Sequence, residues 1–230
     1  MSFNSSRYYL LKEVEQFARS IPANALVLDA GSGLQPYQHL FAHTQYESAD
    51  FEKLDIPYTN TTYLCDLSNI PVEDYKYDCI IFNQVMEHLP EPGVVLKELH
   101  RVLKRGGKLF YSGPLFYEEH QQPYDFYRFT QFGLRFLFTQ QGFEINRMDW
   151  VEGYFGTVGY QLDRMAFFLP GKPKELGGGF RAYLLIPFLI LVKFFSGILS
   201  PIFHKLDVSY KITKQGYPKN YVLIATKPSK

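Results

Sequence analysis

Apolar residues follow two rhythms along this chain. Short apolar runs of the length taken by buried parallel strands occur at residues 25–30 (ALVLDA), 78–83 (DCIIFN) and 221–226 (YVLIAT), with further strand candidates at 108–112 and 143–151. Shorter candidates lie at 46–50 and 61–65. Elsewhere the spacing changes to the three-and-four step of a helix buried on one face. Leu10, Leu11, Val14, Phe17 and Ala18 form such a stripe, with Ser5 or Ser6 as its cap and Pro22 as its stop. Pro36 opens a short helix containing Leu40 and Phe41. Val95, Leu96, Leu99, Val102 and Leu103 form a stripe over residues 92–104, closed by Gly106 and Gly107. Residues 130–141 form another, with Gly142 just past its end. Strands alternating with helices of about 10 to 15 residues predict an α/β fold. The expectation is a Rossmann-like, seven-stranded, mostly parallel sheet with helices on both faces and an apolar helical insertion before the last strand.

This pattern divides the chain into a core at residues 1–153, an insertion at 154–218 and a final strand at 219–230 that returns to the core sheet. Within the insertion, Phe155, Leu162, Met165, Ala166 and Phe168 suit the packed face of a helix. The run at 184–203 (LLIPFLILVKFFSGILSPIF) is long enough to nominate a transmembrane helix. Against a simple crossing stand Lys193 at its centre, Pro187 and Pro201 as interruptions, and a following strand that must rejoin the same sheet. Three placements remain open: a buried cap helix, a homodimer surface, and peripheral membrane contact through residues 180–205. Arg181, Lys205 and Lys211 suit an anionic membrane surface, and equally the solvated ends of any helix.

Composition narrows the function classes. The 230 residues suffice for one good core with an elaboration, and 17% aromatic content, with 21 Phe and 18 Tyr, argues for an ordered chain. A net charge of +1 gives no support to nucleic-acid binding. Cys65 and Cys79 fall on separate predicted strands and make neither a disulfide framework nor a four-ligand zinc set. His39 and His43 have the spacing of a metal pair without an evident third ligand; they read as surface histidines, and no metal is expected. The N-terminal residues reach charge too soon for a signal peptide, so the expected compartment is the cytoplasm, with membrane association left to the insertion.

In parallel sheets, ligands bind beyond the carboxyl ends of the strands, where strand order reverses. Asp29, Asp50, Asp66 and Asn83 lie at or just past predicted strand ends and are expected to converge on one rim. In Val27-Leu28-Asp29-Ala30-Gly31-Ser32-Gly33, the two glycines permit a tight turn and close backbone approach to a ligand, and the next helix points its amides there. A dinucleotide fingerprint needs a third small residue where Pro36 stands. Asp50 is spaced to take both hydroxyls of a ribose.

VLDAGSG, the acid at Asp50, CDLSNIP, DCIIFNQVMEHLPEP and LHRVLKRGGKLFYSGP, in this order and spacing, resemble the class I S-adenosylmethionine-dependent methyltransferases of the small-molecule type. The resemblance covers residues 24–150 and the final strand. It implies S-adenosyl-L-methionine as cofactor, with Asp29, Gly31 and Gly33 around its methionine part and Asp50 on its ribose. Asp66 and Leu67 would meet the adenine, and Asn83 the methionyl or ribose side. His88, in the EHL element, would line the cleft. Leu34-Gln35 departs mildly from the family's loop.

Residues 118–130 (EEHQQPYDFYRFT) resemble a stretch of methyltransferases that occur with surface-glycan biosynthesis enzymes. Methyl transfer to a hydroxyl is helped by positioning and by a base, and a histidine titrates in the right range. The resemblance places His120 as that base, Asp125 as its orienting group, and Arg128 on an anionic acceptor or on Asp125 itself. The competing reading is a structural Asp125–Arg128 ion pair, with Thr130 capping the next helix. The implied activity is O-methylation of a small-molecule or lipid-linked glycan acceptor. The alternatives are a methyltransferase for a quinone-like apolar metabolite and a non-catalytic S-adenosylmethionine-binding module. Asn83 is followed by Gln84-Val85-Met86, which lacks the motif of amino-group methyltransferases.

Overall fold

The structure is a computed structural model that describes residues 3–52, 58 and 60–229. The strands are β1 (Leu26–Ala30), β2 (Gln45–Asp50), β3 (Tyr63–Leu64), β4 (Tyr77–Asn83), β5 (Leu103–Pro114), β6 (Glu144–Trp150) and β7 (Asn220–Thr226). They form one sheet in the order β3-β2-β1-β4-β5-β7-β6. Only β7 runs antiparallel to its neighbours, β5 and β6. Strand order reverses between β1 and β4, which opens a crevice at their carboxyl ends. The expected seven-stranded α/β sheet is therefore what forms.

The chain folds as two compact units, one of residues 10–151 with 220–230, the other of residues 1–9 with 152–219. In the first, Leu28, Ile80, Phe82, Leu109 and Tyr111 present one sheet face to α2 (Pro92–Val102) and α3 (Gln131–Gln140), through Val95, Leu96, Leu99, Leu134 and Phe138. On the other face Val27, Cys79, Ile81 and Phe110 are buried, and Phe17 of α1 (Ser5–Arg19) meets Phe110 at 5.3 Å between ring centres. Thr130 caps α3, its hydroxyl accepting from the amide of Gly133.

Local details differ from expectation for identifiable reasons. Asn4, not Ser5 or Ser6, caps α1: its side-chain oxygen accepts from the Arg7 amide at 3.2 Å. The helix expected after Pro36 is only a 3-10 turn at Gln38–Phe41, because Gln35 (φ 51°) and Pro36 consume the available residues in turns before β2. Gly106 and Gly107 do not close α2. They lie within β5, where the Gly106 amide donates to the Lys227 carbonyl and the Lys227 amide to that of Gly107.

The second unit is built on α4 (Tyr154–Phe168) and α5 (Phe180–Tyr210). Pro187 and Pro201 do not interrupt α5, which is continuous through both. An internal proline costs about 3 kcal/mol, which a helix packed along α4 absorbs. The buried side of α5 carries Ala182, Ile186, Ser196, Ser200, His204 and Asp207, at helical three-and-four spacing. The Ser200 hydroxyl donates to the Gly159 carbonyl of α4 at 2.9 Å, and the Lys193 ammonium donates to the carbonyls of Phe167 and Leu169 at its end. The Gly153 amide donates to Asp207, and the Ser5 hydroxyl lies 3.0 Å from Nδ1 of His204.

The outward side of α5 is the apolar one, including Leu184, Phe188, Leu191, Phe194, Phe195 and Ile198, each exposed. At about 100° per residue, these positions and their apolar neighbours sweep roughly 220° of the helix. Only 17% of the apolar stretch is buried, against a mean hydropathy of 2.2, so α5 is not a buried core helix. By length and composition it is also the one described helix able to cross a membrane.

Candidate functional site

The crevice beyond β1 and β4 is a cavity of about 650 Å³, inside the range of small-molecule sites. Its walls include Asp29, Gly31 and Gly33 after β1, Asp50 at the end of β2, Asp66 and Leu67 after β3, Asn83 at the end of β4, and His88. All eight residues assigned to the cofactor from the sequence thus meet in one place.

Gly31 stands at φ +75°, and a Cβ there would fall 2.5 Å from both γ carbons of Val85. The loop needs glycine both for its left-handed backbone and for this close approach. The Gly33 amide donates to Oδ2 of Asp50 and the Glu52 amide to Oδ1, each at 2.9 Å, so the acid at the end of β2 also organises the turn after β1. Gln35, where the sequence departs from the family loop, is buried and ties that loop to Ser48 and Asn60 through Nε2. The loop helix expected to aim its amides at a ligand is absent; Gly31, Ser32 and Gly33 provide the turn instead.

Burial pushes the Asp29 carboxyl up to about 6, a donated bond from the Tyr46 hydroxyl opposes that, and the charge on Asp50 adds to it. Tyr46, itself half-buried against Asp29, is held well above the ordinary phenol range. Asn83 accepts from the Ser112 hydroxyl at 2.5 Å. Gln84 turns the chain at φ 56° with its amide on the Ser112 carbonyl. Asp66 accepts from the Ser68 amide at 2.9 Å.

The opposite wall comes from residues 121–126, where Gln121, Tyr124 and Phe126 face the cavity. The amides of Phe126 and Tyr127 donate to the carbonyl of Glu87, and Nδ1 of His88 lies 2.5 Å from the Tyr124 carbonyl. Asp125 accepts two bonds from Arg128, at 2.6 and 2.7 Å, and one from the His120 amide at 2.8 Å. Burial works to raise the Asp125 carboxyl, but Arg128 and the His120 amide hold it down at about 2. Arg128 also donates to the carbonyls of Tyr117 and Glu118. The ion pair is therefore internal to the loop, and His120 rests on it, with Nδ1 3.4 Å from Asp125 and 3.2 Å from the Glu118 carbonyl. His120, Asp125 and Arg128 stand behind the cavity wall; the residues that reach its surface from this loop are their neighbours.

Glu87, His88 and His120 are the one described group of side chains with the donor types and spacing to hold a metal ion. Glu87 was legible only as part of the EHL element; its complete burial was not.

The family described as a methyltransferase domain matches residues 28–111, the segment that carries β1 to β5 and the glycine turn. Over these residues the chain is similar to that domain family. An arsenite methyltransferase of Aquipseudomonas alcaligenes is 28% identical over 95 residues, 41% of this chain and 27% of that protein. The chain thus spans about a quarter of the length of that relative. Among solved structures, a putative methyltransferase from Bacillus halodurans aligns with TM-score 0.58 at 16% identity, over 95% of this chain and 98% of that one. The 1,6-didemethyltoxoflavin-N1-methyltransferase of Burkholderia thailandensis, with S-adenosylhomocysteine bound, gives 0.55 at 14% identity over 95% and 78%. The [4+2]-cyclase SpnF gives 0.58 at 15% identity over 96% and 82%. These likenesses show the fold, one that in a neighbour holds S-adenosylhomocysteine, the demethylated form of S-adenosylmethionine.

The site fits that cofactor on its own terms. A buried carboxylate stands beside a glycine turn that admits no Cβ at Gly31, and the Ser32 hydroxyl is buried there without a hydrogen-bond partner among the described residues. Asp29, Gly31 and Gly33 would hold the aminoacyl end, Asp50 the ribose, Asp66 and Leu67 the adenine.

Proposed function

We propose that this methyltransferase methylates an oxygen of a small or lipid-linked acceptor, with a glycan as the leading class. S-adenosylmethionine, when bound, supplies an electrophilic methyl group on a sulfonium. The chain's own task is then to hold an acceptor against that group, exclude water and accept a proton. The observation that carries this reading is the loop at residues 121–126, which closes the cavity wall while its ion pair fixes the imidazole of His120 beside His88. His120 stands behind the wall and would take the proton by way of His88, which lines the cavity and meets its ring edge-on; Asp125 positions His120 through the backbone amide and Nδ1, and Arg128 keeps Asp125 ionised. Because Arg128 is engaged with Asp125 and two carbonyls, the anion-binding role for it loses to the structural one.

His120→Ala tests the reading. Affinity for S-adenosylhomocysteine should stay within twofold, while turnover on a hydroxylated glycan acceptor falls at least a hundredfold. Retained turnover would overturn the role of His120. The cyclase neighbour favours a second reading, in which the same fold binds the cofactor without transferring its methyl group. Formation of S-adenosylhomocysteine in step with a methylated product separates the two.

The lipid-linked part of the proposal rests on α5. Its polar side faces inward and its apolar side outward, the reverse of a soluble helix, and small and hydroxyl residues pack it against α4, as between helices in lipid. An apolar arc this wide exceeds the stripe that one partner helix covers, and a bilayer surface solvates all of it. Exposed Arg181 and Lys205 flank the arc and complement anionic headgroups. We therefore assign a bilayer surface as its occupant. The full chain should float with phosphatidylcholine vesicles containing phosphatidylglycerol, and Leu191→Asp with Phe194→Asp should abolish flotation. A soluble dimer that ignores vesicles would refute the assignment.

A further inference from the structure

Glu87 is completely buried, and neither of its carboxylate oxygens has a hydrogen-bond partner among the described residues. A buried carboxylate without a donor is costly unless a cation meets it. Beside it, Nε2 of His88 is also buried and unpartnered, 3.8 Å from the Glu87 carboxylate. The tautomer of His88 follows from its other nitrogen: Nδ1 faces the Tyr124 carbonyl at 2.5 Å and must carry the proton, so Nε2 presents a lone pair. His120 repeats the arrangement. Its Nδ1 faces the Glu118 carbonyl at 3.2 Å, which leaves Nε2 as the acceptor nitrogen, and its ring meets that of His88 edge-on at 4.7 Å. One donor atom from each of Glu87, His88 and His120 lies within 4.8 Å of the other two.

We propose that these three side chains bind a divalent transition-metal ion of the zinc or manganese kind. Two imidazoles and one carboxylate form a borderline nitrogen and oxygen donor set, and three protein ligands leave a position open for a further oxygen. Imidazoles whose second nitrogen donates to a main-chain carbonyl are oriented as metal ligands usually are. A cation supplies the partner that both buried groups lack. The nearby positive charge of Arg128 is already offset by its two bonds to Asp125. His88 lines the cavity, so the open position lies at the acceptor wall. The inference rests on the reading of this wall as the acceptor side and deepens it. A hydroxyl held by the cation would be acidified toward neutral pH, its proton leaving to solvent at the cavity mouth; in the metal-bound protein His120 Nε2 would be a ligand, and a part for it in proton acceptance belongs to the metal-free chain. This departs from the sequence expectation of no metal, which weighed His39, His43 and the two cysteines. In the structure His39 is exposed, and His43 is turned to the Ile21 carbonyl.

The test uses the full chain stripped with a chelator and titrated by calorimetry with zinc or manganese chloride alone. The expected result is one ion per chain, with affinity at least tenfold weaker in Glu87→Gln and in His120→Ala, and unchanged in Glu119→Gln. Cobalt should give the visible spectrum of a four- or five-coordinate site in the parent and not in Glu87→Gln. Absence of binding, or binding that Glu87→Gln retains in full, overturns the inference. Affinity for S-adenosylhomocysteine, read in the same stripped samples, keeps the two proposals apart: if it persists without the ion, failure of the metal leaves the methyltransferase reading standing.

Discussion

The amide of Gly33 donates to Oδ2 of Asp50 at 2.9 Å, joining the turn after β1 to the end of β2. One carboxylate therefore sets both the acidic rim of the cavity and the shape of its glycine loop. Asp50→Ala should weaken S-adenosylhomocysteine binding by more than tenfold, since it leaves the Gly33 and Glu52 amides without their acceptor. Asp50→Asn keeps an acceptor and should lose less. Calorimetry on both variants checks the order.

Gly31→Ala should be worse than a typical surface change. The left-handed backbone costs an alanine about 1 kcal/mol or more, and its methyl enters the side chain of Val85. We expect a lower melting temperature and no measurable cofactor affinity. Adding Val85→Ala removes the clash but not the backbone strain, so it should restore stability only in part.

Asp29 predicts a pH dependence with a definite sign. The folded chain keeps its proton up to about 6, whereas the unfolded chain releases it near 3.8. Between these values the folded state binds more protons, so stability falls as pH rises through that window and stays at the lower level above it, by about 3 kcal/mol. Asp29→Asn should flatten this slope in denaturant titrations at pH 4 to 7 (about the range that spans both values) and should abolish cofactor affinity. In the parent protein, affinity for S-adenosylhomocysteine should weaken below pH 6, because its ammonium group favours the ionised carboxylate.

Arg128→Lys is not a conservative change here. The guanidinium makes two bonds to Asp125 and reaches the carbonyls of Tyr117 and Glu118, a fork that an ammonium cannot reproduce. Turnover should fall at least tenfold with cofactor affinity nearly unchanged, and stability should drop by about 1–3 kcal/mol. Equal loss of cofactor affinity would show that the loop does not act separately from the cofactor end.

Much of the cavity was legible in the sequence because strand ends carry their chemistry at fixed places: Asp29 and Asn83 stand at the end of apolar runs, Asp50 closes a short strand, and a parallel sheet aligns such ends. What escaped notice depends on contacts distant in sequence. The left-handed turn at Gln84 is set by Ser112, the loop at Gln35 by Ser48 and Asn60, and the seat of Glu87 by Phe126 and Tyr127, whose amides donate to its carbonyl. The prolines of α5 misled for another reason. Local propensity marks them as breaks, but packing along α4 decides the helix.

The place of β7 has a consequence for how the protein is made. Residues 220–226 occupy the slot between β5 and β6, yet they are synthesised after the whole of α5. During translation, at roughly 5–20 residues per second, the nascent sheet has an unfilled gap while the greasy helix has already emerged. Two adhesive surfaces coexist for those seconds, and early capture of α5 by a chaperone or a membrane would protect the chain from aggregation until the gap closes.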